Sequence, residues 1–565
     1  MKAINKYMKA SGLLLAALTF GACSDSWDDH YDVAGGSAGN GASLWENIAS
    51  NKDLSNFARV LDACGYKTSL AGDQMFTVFA PTNDGLSEEM ANQLIATYQQ
   101  EKGAGVIEKD NSTIKEFVQN HIALYNHSVA VEGSDTSIVM MNGKYLALGP
   151  NNFAGNQLVS KNLLTKNGIL FTVGTTAQYL PNVFEYLGKD AALDSLSAFL
   201  YSYNNYKFDP AQSVPGEIID GETTYLDSVK VLENDLLDQY MGEINDEDST
   251  FWMVVPNNEQ WKTRLAELQA YFNYDNKVAD RDSLSRLYSH LFIANGSVFS
   301  MSYNTETSFR DSAYAINARP ASVREQLYGF KDAKPYVYDN PKPYEPGGVF
   351  YGAETVECSN GKVLKVPSWN IEPSKTFLRR IKVEAESAAN RKEYDETSSQ
   401  IPNIVTVTAD NTQFYNQLSG NKYLEVLSRS KDGKPSITYY IRDVFSNVPY
   451  DIKVVMAPAL AGDTAATEDQ RKLLLVDATI GYNKQNGEET TASLVKRVEC
   501  KKDMVDTLVV AENYVFPTCS YNVDPQVTLK IASSGRPPGS KKDQYQTSLR
   551  IDCIILEPKI AKEEK

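Results

Sequence analysis

The chain has 565 residues, 42% of them hydrophobic and 22% charged, with a formal net charge of −17. That length exceeds what one hydrophobic core serves and implies about two to four domains, and the composition excludes a disordered or collagen-like chain. The acidity weighs against non-specific partnership with nucleic acid or anionic lipid; its plainest role is solubility.

Residues 1–22 read as a targeting segment. Lys2, Lys6 and Lys9 make a basic start, and the run from Ala10 to Ala22 carries no charge. It is shorter than the roughly 20 residues a membrane-spanning helix needs and suits a signal peptide. It ends in Thr-Phe-Gly-Ala-Cys, with small Gly21 and Ala22 before Cys23. This resembles the lipobox of bacterial lipoproteins, and the resemblance implies that Cys23 is acylated and becomes the mature N-terminus. The alternative is an ordinary signal peptide with a chance cysteine. Asp25, Asp28, Asp29 and Asp32 follow. Acids beside a lipid would be repelled by an anionic surface, so they do not serve membrane binding. The run resembles the export signal of lipoproteins of the Bacteroidetes type, which implies the outer face of the outer membrane; a merely solvated leader is the alternative. Residues 23–42 then form a lipid-anchored, glycine-rich flexible tether. Gly35 to Gly39 formally matches Gly-x-Ser-x-Gly, but a nucleophile elbow needs a strand before it and a helix after it.

Five cysteines remain beyond Cys23: Cys64, Cys358, Cys500, Cys519 and Cys553. An odd number cannot all pair, and no Cys-x-x-Cys occurs. Cys64 and Cys553 sit among apolar residues and read as buried thiols. Pairing among Cys358, Cys500, Cys519 and Cys553 stays open.

An internal repeat organises the middle of the chain. "MFTVFAPTNDGL" (75–86) is an apolar, β-rich run that stops at Pro81 and polar turn residues, and "TFWMVVPNNEQW" (250–261) echoes it around Pro256. After each proline comes a segment with helical apolar spacing: "TIKEFVQNHIALY" (113–125) with His121, and "SLSRLYSHLFIANG" (283–296) with His290. A strand–turn–strand signal follows, centred on Asn167-Gly168 in the first copy and Asn360-Gly361 in the second. The Pro/Tyr-rich stretch at about 332–350 reads as an inserted loop in the second copy.

These motifs, in this order, resemble the fasciclin domain. The helix read over 43–65, with Trp45, Leu54, Phe57 and Leu61 near one face, fits as well. The resemblance covers residues 43–187 and, in degenerate form, 188–376, where Thr82-Asn83-Asp84 has become Asn257-Asn258-Glu259. It implies a β-sandwich wedge flanked by helices, used for adhesion or recognition outside cells. The motif residues have structural roles on this reading. Pro81 and Pro256 remove a donor at a strand end. Thr82, Asn83 and Asp84 shape the turn, the last two through bonds to backbone N–H groups. His121 and His290 sit on apolar helix faces as satisfied core residues.

From about residue 377 to 560 the texture becomes all-β. Seven short apolar runs, from "KYLEVLSR" to "SLRIDCIILEP", are separated by Gly, Pro, Asn and Asp. That predicts a sandwich or jelly-roll. Its ends resemble carbohydrate-binding modules, which open with a Glu-Ala-Glu strand and close with a strand bearing an aspartate. Period-two alternation puts Glu384 and Glu386 on one strand face. The resemblance implies a structural calcium held by Glu384, Glu386 and Asp552, since that ion takes hard oxygen ligands; a solvated edge strand is the plainer alternative. All five tryptophans precede this segment, and tyrosines such as Tyr439, Tyr440, Tyr450, Tyr482 and Tyr521 read as half-core residues, so no ligand-binding residue is assigned.

The expected architecture is α+β: two fasciclin-like β-sandwich/helix wedges followed by an all-β jelly-roll sandwich. Four histidines, no His-Glu-x-x-His and no phosphate-binding glycine loop give no catalytic constellation. The expectation is a non-catalytic, outer-membrane lipoprotein facing the cell exterior. It would recognise an extracellular glycan or components of an outer-membrane nutrient importer. The rival readings are an adhesin for host matrix or other cells, and a glycoside-acting enzyme with an unrecognised acid pair.

Overall fold

The computed structural model describes residues 41–129, 133–208, 214–219, 222–227, 230–317 and 336–559. Cys23, the acidic run after it and nearly all of the tether lie outside these residues. The chain divides into two compact units, Met1–Pro181 and Asn182–Lys565.

In the first unit, strand Phe76–Pro81 is buried along its whole length. It pairs in parallel with Gly168–Val173 and antiparallel with Ile122–Leu124, inside a seven-stranded sheet. Both faces are covered, which explains why the strand reads as a continuous apolar run. Phe76, Val78 and Ala80 face a helical layer with Leu44, Ile48, Phe57 and Leu61. Phe79 points the other way and stacks on Phe153 at 3.7 Å and on Phe171 at 5.0 Å. The helix expected over 43–65 is instead two helices, Leu44–Ser50 and Ser55–Ala63, joined by a 3-10 turn Lys52–Leu54. Asn51 is the reason: it leaves helical geometry with ψ of 114°, and its side chain accepts from the Asp53 N–H. The segment 113–125 is likewise only a short π-helical turn, Thr113–Val118, and a 3-10 turn before its last residues enter the sheet as a strand.

The second unit begins with the same arrangement. Strand Phe251–Val255 pairs in parallel with Gly361–Lys365 and antiparallel with Val298–Ser300. Its Met253 and Val255 face one core, and Trp252 and Val254 face another with Phe299, Phe309 and Phe350. The repeat holds at atomic level. Asn167 accepts from the Leu44 N–H at 2.8 Å, and its amide donates to the Leu70 carbonyl at 3.0 Å. Asn360 accepts from the Val183 N–H at 2.8 Å and donates to the Ile244 and Asp246 carbonyls. Leu44 and Val183 each open a helix, so the second copy starts at Asn182. The strand-to-strand turn falls one residue earlier than its sequence signal: strands resume at Gly168 and Gly361 themselves. Part of the expected inserted loop is an edge strand, Tyr336–Pro341, antiparallel to Ser312–Asn317; residues 332–335 lie outside the described ones. Proline is tolerated there because it ends an edge strand.

The rest of the second unit is a sandwich of two six-stranded sheets. The seven expected runs are all strands. A further strand, Glu489–Cys500, is polar along most of its length and lies at a sheet edge, where charged and hydroxyl side chains suit solvent. The sandwich shares one core with the second copy. At their junction Phe272 lies 5.5 Å from both Phe292 and Phe445, Phe292 lies 4.4 Å from Phe377, and Tyr288 meets Tyr521 at 4.9 Å. Backbone bonds cross it too: the Cys519 N–H donates to the Asn273 carbonyl at 2.8 Å, and Ser446 N–H to the Tyr271 carbonyl at 3.1 Å. Buried Asp275 accepts from the Asn483 amide at 3.1 Å. All five described cysteines are buried and free, and burial pushes the thiols of Cys64, Cys500 and Cys519 up to about 12.

Candidate functional site

The loop after Pro81 is built to hold the first helical layer. The side-chain Oδ1 of Asn83 accepts from the Asn56 N–H at 3.0 Å, and its Nδ2 donates to the Lys52 carbonyl at 2.8 Å. Asn83 therefore fastens a neighbouring helix rather than its own turn. Thr82 closes that turn by accepting from the Gly85 and Leu86 N–H groups, while Asp84 is exposed. The second copy repeats the device. Asn258 accepts from the Ser195 N–H and donates to the Ala191 carbonyl, both at 2.9 Å. Asn257, after Pro256, caps the helix Asn258–Leu268. The degenerate motif thus keeps the asparagine whose bonds shape the fold.

His121 is fully buried. Its Nδ1 lies 2.7 Å from the Phe117 carbonyl, and its Nε2 accepts from the Ala177 N–H at 2.9 Å. A carbonyl can only accept, so Nδ1 carries the proton and the ring is neutral. Burial pulls its pKa down to about 4. A histidine whose folded pKa is depressed binds its proton more readily when unfolded, so its stabilisation is present above about 6.5 and declines as pH falls toward 4. The first unit is expected to lose about 3 kcal/mol over that window on this account. Urea titrations at pH 7 and pH 4.5 check it, and a His121→Asn protein should show a shallower slope. Equal slopes would refute the assignment.

The strand register does not equate His290 with His121. Ile122 pairs with Val78 and Val298 with Met253, so the residue at the place of His121 is Ser297, which is buried. His290 belongs to the preceding helix, Arg281–Ala294, and is half-exposed between Phe199 and Trp261. Sequence spacing missed this because the second copy's helix runs on past the histidine.

The sandwich brings Glu384 and Asp552 together. Strand Ile381–Glu384 pairs with Leu549–Pro558, opposing Glu384 to Cys553. Ligand atoms of Glu384, Asp552 and Cys553 lie within 4.8 Å of one another. Ser419 bridges the two acids: its N–H donates to Asp552 Oδ1 at 2.9 Å and its hydroxyl to Glu384 Oε1 at 2.6 Å. Lys382 Nζ stands 2.9 Å from the same Glu384 oxygen. The strand ends at Glu384, so Glu386 lies beyond it and does not share a strand face with Glu384 by alternation. Its Oε2 and that of Glu384 are both buried without a hydrogen-bond partner. Burial pushes the Asp552 carboxyl up to about 6 and raises that of Glu386. Unpartnered buried carboxylate oxygens fit a hard cation; the protonated Cys553 thiol does not add to that fit. Tyr439, Tyr450 and Tyr521 are buried.

Among curated proteins no sequence matches this chain. Solved structures similar to it include the Clostridium thermocellum xylanase 10B fragment with CBM22-1 and GH10 modules, at 11% identity and a TM-score of 0.20 over 32% of this chain. The chain spans 28% of the length of that structure. The CBM22-1 xylan-binding domain of Paenibacillus barcinonensis Xyn10C is similar over 32% of this chain and 95% of its own length, at 12% identity and a TM-score of 0.20. The FAS1 domain pair of the insect cell adhesion molecule Fasciclin I is similar over 59% of this chain and 97% of its own length, at 12% identity and a TM-score of 0.18. Residues 52–176 match the family model described as Fasciclin domain, and the first compact unit therefore carries a fasciclin domain.

Proposed function

We propose that this chain is a non-catalytic binding protein held by a lipid on Cys23 at the outside of the outer membrane. There it recognises an extracellular glycan or a component of a nutrient importer. The observation that carries the reading is the fasciclin domain at residues 52–176. Its buried motif histidine and its Asn83 are taken up by bonds that hold the fold, which fits a module that works through its surface. Anchoring several modules on one tether raises their local concentration and compensates for weak single contacts. A glycan array and a pull-down of outer-membrane proteins with the full chain test the binding. Mass spectrometry of the mature N-terminus and surface protease accessibility, with Cys23→Ser beside the native chain, test the anchor. Binding to glycan or importer component and an acylated Cys23 are expected. An unacylated chain in the cytosol, or release of reducing sugar from bound glycan, would overturn the reading.

A structural calcium on Glu384, Glu386 and Asp552 is supported by the approach of Glu384 to Asp552 and by the unpartnered Oε2 atoms of Glu384 and Glu386, although Glu386 lies outside the group of ligand atoms within 4.8 Å of one another. Calcium against chelator at pH 7.5 is expected to raise the melting temperature of the full chain, and Asp552→Asn to abolish that response. An unchanged melting temperature in the native chain would overturn the calcium site and leave Lys382 and Lys422 as the cations beside these acids.

A further inference from the structure

Three helices of the second unit, Asp194–Tyr201, Asn258–Leu268 and Arg281–Ala294, enclose a groove of about 840 Å³. Phe199 lines it. The ring stacks on His290 at 5.4 Å and lies 5.6 Å from Tyr203 and 5.8 Å from Trp261. His290 Nδ1 is 2.6 Å from the Arg286 carbonyl. That carbonyl only accepts, so Nδ1 carries the hydrogen and Nε2 is left as an acceptor for a hydroxyl. Burial lowers the basicity of His290 and favours this neutral ring. Lys262 and Arg286 are exposed on the lining, and among the described residues neither is in an ion pair. A single acid, Glu259, shares the lining, so the groove is cationic on a chain whose net charge is −17. Trp261 is part of the core, but His290 is not required by the repeat, because the structural position of His121 is filled by Ser297.

The partly exposed rings of Phe199 and Tyr203 suit the C–H face of a sugar ring, a lone acceptor suits a ring hydroxyl, and two unpaired cations suit a carboxylate. We propose that this groove binds an acidic oligosaccharide, a chain of uronic acid units, with its carboxylate on Arg286 and Lys262 and a hydroxyl donating to His290 Nε2. The proposal rests on the glycan reading above and deepens it. A bulky neutral glycan would leave both cations without a partner, and a free carboxylic acid would leave the aromatic faces bare.

Titration of the full chain with pentagalacturonate, followed by tryptophan fluorescence and calorimetry, is the test, with xylopentaose as the neutral control. Arg286→Glu reverses the charge at an exposed site, and His290→Phe keeps the stacking while removing the acceptor. Unchanged melting of each variant shows that it folds. Binding of pentagalacturonate in preference to xylopentaose, weakened at least tenfold by Arg286→Glu and severalfold by His290→Phe, supports the proposal. Binding of pentagalacturonate that both variants retain, or a native chain that binds only neutral glycans, overturns the groove and leaves the glycan reading standing. A native chain silent to both probes and to every glycan on the array overturns both.

Discussion

Gly361→Ala is expected to unfold the second repeat, at a cost of about 3 kcal/mol or more. An added Cβ would lie 1.8 Å from the Phe251 carbonyl oxygen, a backbone atom in the parallel partner strand, and φ at this glycine is +144°. Neither the strand nor the glycine can give way, because Phe251 N–H also donates to the Asn360 carbonyl at 2.9 Å. Gly168→Ala should do the same to the first unit, where the Cβ would meet the Phe76 carbonyl oxygen at 1.9 Å with φ of +152°. Gly103→Ala is the control. It ends the helix Glu88–Gly103 with nothing within 4 Å of the added atom, so it should be neutral or stabilise by about 0.5–1 kcal/mol. Denaturant midpoints decide the matter; a Gly361→Ala protein as stable as the control would refute the close approach.

The second large effect is expected at Phe272→Ala. Phe272 is fully buried and lies within 6.3 Å, ring to ring, of Tyr288, Phe292, Phe377, Phe445 and Tyr521. Removing it leaves a cavity that helices and sandwich cannot both collapse into, at a cost of about 3–5 kcal/mol. In the native chain the second repeat and the sandwich should melt together, because one core spans both. In the variant they should separate into two transitions. Hydrogen exchange resolves this by segment. Sandwich peptides that keep native protection in Phe272→Ala, with no second transition, would show that the junction does not couple the two.

Much of this follows from local pattern. The strands around Pro81 and Pro256 were legible because a strand covered on both faces must be apolar throughout, and Asn-Gly marked both strand turns. Several of the sandwich runs were legible for a different reason: one face meets the core and the other does not, so strands such as Val527–Ser533 alternate buried and more exposed residues. Local pattern also carried the asparagines of the motif, although not their partners, since Asn83 bonds to residues far upstream.

Other features depend on how distant segments meet. His290 looks like His121 by spacing, yet strand pairing gives that place to Ser297, because register is set by hydrogen bonds between strands and not by counting along a helix. Glu386 left the strand face of Glu384 because the strand stops at Glu384, two residues before it. The aromatic junction of Phe272, Phe377, Phe445 and Tyr521 joins residues from four separate stretches of the chain, each of which alone reads only as an apolar residue. Periodicity records which side of an element is buried; it does not record against what, and that choice belongs to the tertiary structure.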